Sequence, residues 1–279
     1  MSNALRRLLT SKTRWEAEKY ITSQTRSQYM GQNRVLCSIL GGKKFFAFGD
    51  DIGFSTHMIF DGFWEYWLTK CFADHINEGD VVLDVGANLG YYTLLAGDLV
   101  GQTGKVVAIE PNPAVFQFMS ESVAVNGYSH TTDCVNAALT DDTSGLPQRF
   151  FCPKAEPKNG RFVDGHEIES ELKQRGDVFD VETLNDLGSR FDRLDFVKID
   201  VEGAELQVLN MLRPLLQKYT PKVVCECNFG RGYAFAELKR QLNVEELFHL
   251  DFDSEIVPLT QEMVDTQRLN DDWLVCLNF

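Results

Sequence analysis

Val81-Val-Leu-Asp-Val-Gly-Ala-Asn-Leu-Gly90, running on into Tyr91-Tyr-Thr-Leu-Leu-Ala-Gly97, is the stretch that decides the fold. Its first five residues form a short apolar run that reads as a parallel strand buried on both faces. Asp84 lies near the carboxyl end of that run, Gly86 and Gly90 frame a turn, and a helix begins beyond them. Strand, glycine turn and helix in this order make a nucleotide-binding corner, because bare backbone lets a ligand come close. Asn88 stands where the Gly-x-Gly-x-x-Gly pattern has its middle glycine. That argues against a pyrophosphate-bearing dinucleotide.

Toward the carboxyl terminus the same alternation continues. Lys105-Val-Val-Ala-Ile-Glu110 reads as a second buried strand ending in an acid, followed by Pro111-Asn-Pro113. A helix is expected over 114–126 and a third strand over 131–139. Strand-helix-strand-helix-strand is the signature of a parallel, doubly wound sheet. From 140 to 192 the periodicity fails amid prolines and glycines, with Phe150-Phe-Cys152 and Val178-Phe-Asp-Val181 as short candidate strands. An irregular segment of that length between core strands is expected to be a lid or specificity element. Regularity returns with a strand at 196–199, a helix over 204–219, a strand at 222–227, a helix over 234–242 and strands at 247–252 and 273–279.

Toward the amino terminus, Trp64, Trp67, Leu68, Cys71 and Phe72 recur at helical spacing within 63–76. Two apolar runs, 35–40 and 43–48, flank Gly41-Gly42 and predict a hairpin. Residues before 30 are polar, basic and helix-prone. The expected organisation is an amino-terminal helix and hairpin appendage over 1–78 and a main domain over 79–279.

Composition narrows the function. The 279 residues are ample for a packed core, and 44% apolar with 24% charged residues describes a globular chain. A formal net charge of −14 disfavours a phosphate backbone, so no nucleic-acid partner is expected. The basic run from Arg6 to Arg14 is too short to reverse that. The cysteines at 37, 71, 134, 152, 225, 227 and 276 show no metal-ligand spacing, so no metal is expected, and their scatter suits a reducing cytoplasm. Neither a membrane-spanning run nor a secretory signal is read.

Acids stand where core strands end: Asp84, Glu110, Asp200 with Glu202, and Glu226. Ligands of open parallel sheets bind at those ends, where strand order reverses. A carboxylate after the second strand is placed to accept hydrogen bonds from a ribose diol, which assigns Glu110.

Three motifs occur in order: Asp84-Val-Gly-Ala-Asn-Leu-Gly90, Glu110-Pro-Asn-Pro113 and Lys198-Ile-Asp-Val-Glu-Gly-Ala-Glu205. Over about residues 60 to 230 the chain resembles the FkbM-like family of class I methyltransferases, which use S-adenosylmethionine. Gly62-Phe-Trp-Glu65 is similar to the family's element before the first strand. Val181-Glu-Thr-Leu-Asn-Asp186 resembles another, with Asn185 where the family has Asp. The resemblance implies a Rossmann-like, seven-stranded, mostly parallel sheet with the last strand antiparallel. It also implies a cofactor site of Glu65, Asp84, Gly86, Ala87, Asn88, Gly90, Tyr91, Glu110, Asn112, Ala137 and Asp200. In that site Asp84, Gly86, Ala87 and Asn88 would line the methionine half and Glu110 would hold the ribose. Asn112 and the third strand, from Cys134 to Ala137, would border the adenine.

The implied reaction is O-methylation of a hydroxyl on a sugar, glycan or secondary metabolite. Positioning does much of the work in such a transfer, and a hydroxyl acceptor must also lose its proton. Asp200, Glu202 and Glu226 are the candidate carboxylates for orienting or deprotonating it. Lys198 is read as a structural partner of one of these acids. His166, the run Lys158-Asn-Gly-Arg161, and an aromatic wall of Trp64, Trp67, Tyr91 and Tyr92 are further candidates for the acceptor pocket. Three other readings stand beside it: a nucleotide-dependent oxidoreductase, a non-catalytic relative that binds the cofactor, and a methyltransferase for nucleic acid or protein, which the acidic balance and the missing Asn/Asp-Pro-Pro-Tyr type motif disfavour.

Overall fold

A computed structural model describes residues 2–140, 148–153, 160–163, 167–184, 187–231, 234–266 and 272–279. Lys158, His166, Asn185 and Asp186 lie outside the described residues.

The centre is an eight-stranded sheet. Its spatial order is Ile256–Leu259, Leu247–Leu250, Asp272–Leu277, Lys222–Asn228, Phe196–Ile199, Val81–Val85, Lys105–Ile109 and Thr132–Val135. The last five of these are mutually parallel. Asp272–Leu277 is antiparallel to both its neighbours. The seven expected strands are present, and Ile256–Leu259 adds an antiparallel edge strand. Strand order reverses beside Val81–Val85, whose neighbours are the strand after it in the chain and the much later Phe196–Ile199.

Pleat parity sorts the side chains. Leu83, Val85, Val107, Ile109, Val197, Ile199, Val223 and Cys225 join a core with Val208, Leu209 and Leu212 of the helix Glu205–Tyr219. The alternate residues Val82, Val106, Phe196 and Val224 join a second core on the opposite face, with Leu94, Leu95 and Leu99 of the helix Tyr91–Val100. Helices on both faces explain why the central strands are apolar on both sides.

The amino-terminal residues contribute to that second core. Leu5 and Leu9 of the helix Ser2–Ser11 and Ile21 of Arg14–Gln24 are buried in it with Phe45, Met58, Leu68 and Phe72. The expected hairpin is present as Arg34–Ile39 and Lys43–Phe48, within a three-stranded antiparallel sheet completed by Arg26–Gly31. That first strand carries no legible pattern because five of its six residues are exposed. The helix Phe54–Phe60 has seven residues, too few to show a period.

The expected third strand breaks after Val135. Ala138–Leu139 instead pairs in parallel with Thr183–Leu184, outside the main sheet. The irregular segment contains a small antiparallel sheet in which Gln148–Pro153 lies between Arg161–Phe162 and Gly176–Val181. Phe150, Cys152, Val181 and Ala138 form its own buried cluster. Among the described residues no helix is long and apolar enough to cross a membrane.

Candidate active site

The register of the parallel strands builds the site. Ile109, Val85, Ile199 and Cys225 lie side by side in one row of the sheet. The next residue on each strand is Glu110, Gly86, Asp200 or Glu226, so these four stand together at the carboxyl edge. All four line one cavity of about 600 Å³, a size typical of a cofactor and ligand pocket. Glu65, Ala87, Asn88, Tyr91, Asn112, Ala137 and Glu202 line it as well.

Two predicted residues stand elsewhere. Asp84 does not line the cavity and is wholly buried. It lies two residues before Gly86, hence one pleat back on the same face. Gly90 also lies off the cavity. Its φ is +90°, and a Cβ there would meet Met119 Cγ at 2.8 Å. It therefore turns the chain and seats one helix on another. Gly86 does open on the cavity. Its φ is +73° and an added Cβ would lie 1.7 Å from the Asp200 carbonyl oxygen. We expect Gly86→Ala to abolish cofactor binding in a calorimetric titration and to lower thermal stability, because neither backbone can retreat.

Glu110 is 7% exposed and fixed by the turns on either side of it. Asn88 N–H donates to its Oε2 at 2.9 Å and Asn112 N–H to its Oε1 at 2.8 Å. A carboxylate has about four acceptor sites, so lone pairs remain for a diol. Burial pushes its pKa up to about 7, against the pull of those two N–H groups. Asn112 also caps the helix Pro113–Val125 through Ala114 N–H, and its Nδ2 donates to Cys152 Sγ. Its side chain is thus engaged, and it presents a fixed edge.

At the floor, Lys198, which lines the cavity, and Asp84, which lies beneath it, are register partners on adjacent strands. Lys198 Nζ donates to the Gly86 carbonyl at 3.0 Å and stands 3.3 Å from Asp200 Oδ2 and 3.6 Å from Asp84 Oδ1. Thr93 donates to Asp84 Oδ2 at 2.7 Å. Burial alone would lower the ammonium's pKa. The carboxylates of Asp200 and Asp84 outweigh that and raise it, so Lys198 stays charged and is no proton acceptor. Two features had marked it: the motif and its position two residues before Asp200. Beyond the expected pairing with an acid, Lys198 is the post that holds both the glycine turn and Asp200.

Above the floor, Glu226 is half-buried, and its pKa is pushed up to about 10, first by that burial and then by Asp200, Glu65, Asp272 and Glu202. Asp272 lines the cavity from the start of the antiparallel strand, a placement with no sequence signal. Tyr92 Oη donates to Glu65 at 2.8 Å. Phe54 and Trp64, in edge contact at 5.3 Å between ring centres, form one wall with Tyr91 and Tyr92. Trp67 is not in that wall and packs edge-on against Phe252 at 4.8 Å. Arg161, Phe150 and Phe162 of the small sheet line the cavity too.

Glu110 and Glu226 both hold protons in the folded chain at pH values where the unfolded chain has lost them. The native state then binds more protons, so stability falls as pH rises between about 4.5 and 7 for Glu110, and up to about 10 for Glu226. The slope is at most about 1.4 kcal/mol per pH unit per group. Melting curves of the ligand-free protein should show a declining Tm from pH 5 to 9, with a shallower decline in Glu226→Gln. A flat or rising profile would refute the burial of these acids.

The strand order, the reversal point and the inserted antiparallel strand Asp272–Leu277 are those of a class I methyltransferase dependent on S-adenosylmethionine, and the site fits that group. Glu110 faces the cavity beside a glycine turn with no room for a Cβ, and acids surround the space for a positive charge. Residues 84–265 match the model of the methyltransferase FkbM domain, and the chain belongs to that family. Methyltransferase sdnD of Sordaria araneosa is 27% identical over 177 residues, spanning 52% of this chain and 67% of that protein. A protein-L-isoaspartate O-methyltransferase of Aeropyrum pernix is 37% identical over 70 residues, but these are only 25% of this chain and 26% of that one. The structure of a methyltransferase FkbM from Methylobacillus flagellatus superposes with a TM-score of 0.42 at 14% identity, covering 76% of this chain and 52% of that one.

Proposed function

We propose that this methyltransferase acts on oxygen, transferring the methyl group to a hydroxyl of a sugar, glycan or small metabolite. The observation that carries the reading is the row of Glu110, Gly86, Asp200 and Glu226 along one edge of the sheet. It sets the ribose-binding acid at one end and carboxylates able to handle a hydroxyl at the other. S-adenosylmethionine supplies an activated methyl group on a good leaving group. Glu110 holds the ribose hydroxyls, and Gly86, Ala87 and Asn88 follow the methionine half. Glu65 and Asn112 border the ends, with Ala137 beside the adenine.

Asp200, anchored by Lys198, orients the acceptor hydroxyl, and Glu202 and Glu226 complete the acid side of the pocket. The Phe54 and Trp64 wall supplies an apolar surface suited to a sugar face or ring. The small sheet bearing Arg161 and Phe162 acts as the lid, keeping water from the reacting atoms. An acid-lined pocket disfavours a phosphate-bearing acceptor. The net charge of −14 disfavours a nucleic-acid acceptor.

The test is transfer of labelled methyl from S-adenosylmethionine to a panel of sugars, oligosaccharides and hydroxylated small molecules. Alkali-stable methyl ether is the expected product. Label recovered only as alkali-labile ester or as N-methyl would overturn the reading.

A further inference from the structure

We propose that Glu226 is the proton acceptor for the reaction, and that it becomes one only when a positive charge enters the cavity. This rests on the proposed methyl transfer in the same cavity.

Glu226 follows Cys225 on the strand Lys222–Asn228 and faces the cavity beside Asp200. Among the described residues, none donates a hydrogen bond to its carboxyl. The charged groups around it come from every adjoining element. Asp200 and Lys198 belong to the neighbouring parallel strand and its end, and Glu202 to the following turn. Asp272 comes from the antiparallel neighbour, and Glu65 from the chain before the helix Tyr66–His75. Among the described residues, the cations lining the cavity are Lys198, held by Gly86 O, Asp200 and Asp84, and Arg161, paired with Glu167. A carboxyl among four other acids keeps its proton at neutral pH.

A fixed positive charge changes that balance. At about 5–6 Å and an effective dielectric near 20, one unit charge lowers a carboxyl by about 2 pKa units. Glu226 then gives its proton to solvent as the charged cofactor settles. In the reaction the acceptor's O–H proton passes to a Glu226 oxygen while the O–C bond forms and the C–S bond breaks. The electron pair of the broken bond remains on sulfur as a neutral thioether. One positive and one negative charge vanish together, so the net charge of the closed cavity is the same before and after. The ionised acid therefore exists only while a methyl group is available.

Calorimetric titration near pH 9, in buffers of different ionisation enthalpy, counts the protons. Wild-type protein should release most of a proton more with S-adenosylmethionine than with S-adenosylhomocysteine, which lacks the positive charge. The cofactor's own α-amino group also titrates near this range. The decisive quantity is therefore the wild-type difference minus that of Glu226→Gln, which should bind both ligands without the extra release. Binding of both ligands to wild type with equal proton counts would overturn the assignment and leave the methyltransferase reading standing. Failure of either ligand to bind would instead remove that reading. Should Glu226→Gln not fold, Glu226→Ala supplies the same subtraction.

Discussion

Lys198→Met should destabilise the protein by about 3–5 kcal/mol, because it leaves Asp84 buried with its charge uncompensated. Asp84 has no exposure and Lys198 is 3% exposed, so water cannot replace the lost partner. Among the described residues, Thr93 alone would remain as a hydrogen-bond donor to the Asp84 side chain. For a chain of this size the loss corresponds to a fall in Tm of about 10 °C, read by calorimetry. The double variant Lys198→Met with Asp84→Leu should recover much of it, since the cost lies in the orphaned charge rather than in the pair itself. A single variant within 1 °C of wild type would mean that Asp84 is neutral in the native protein and that the post beneath the site is not ionic.

Glu226→Gln should lower kcat by about 10²–10⁴, the usual contribution of a positioned proton acceptor, with KM for S-adenosylmethionine changed little. Glutamine keeps the shape and a hydrogen-bonding head but accepts no proton. The pH profile separates this role from a merely structural one. Wild-type turnover should rise with pH as Glu226 ionises in the loaded enzyme, and the residual turnover of the variant should lose that limb. A variant with full activity, or with the same pH limb, would return the proton to Asp200 or Glu202.

Much of the fold was legible because its evidence is local. Val81–Val85 and Lys105–Ile109 are short apolar runs between turn residues, and each is buried on both sides as such runs demand. The acids at 110, 200 and 226 were legible for a related reason: a carboxylate just past a buried strand falls at the sheet edge wherever the strands pair. Asp84 shows the limit of that argument. It stands within the strand, and only the pleat, with Gly86 one step beyond it, puts it beneath the floor rather than on it. The same two-residue offset places Lys198 under Asp200.

Other parts depend on contacts far apart in the chain. Asp272 reaches the cavity because Asp272–Leu277 inserts antiparallel beside Lys222–Asn228, which no local pattern announces. Phe54 reaches it from a seven-residue helix whose place is set by the amino-terminal sheet. Arg161 and Phe162 do so through a two-residue strand paired across the irregular segment. Tyr91, expected at the cofactor, is largely a packing residue. It is 2% exposed, with its hydroxyl on Thr69 at 2.9 Å, although it borders the cavity.

The methyl donor is expected to sit in the cavity beside Glu110. The most direct test of that placement is a pair of calorimetric titrations with S-adenosylmethionine at pH 8, where Glu110 is largely ionised. Wild-type protein should bind one equivalent, and Glu110→Ala should bind about 10- to 100-fold more weakly, the loss of charge-assisted hydrogen bonds to the ribose. Lowering the pH through 7 should weaken wild-type binding in the same direction and leave the variant unchanged. Equal affinity in the two proteins would contradict the account.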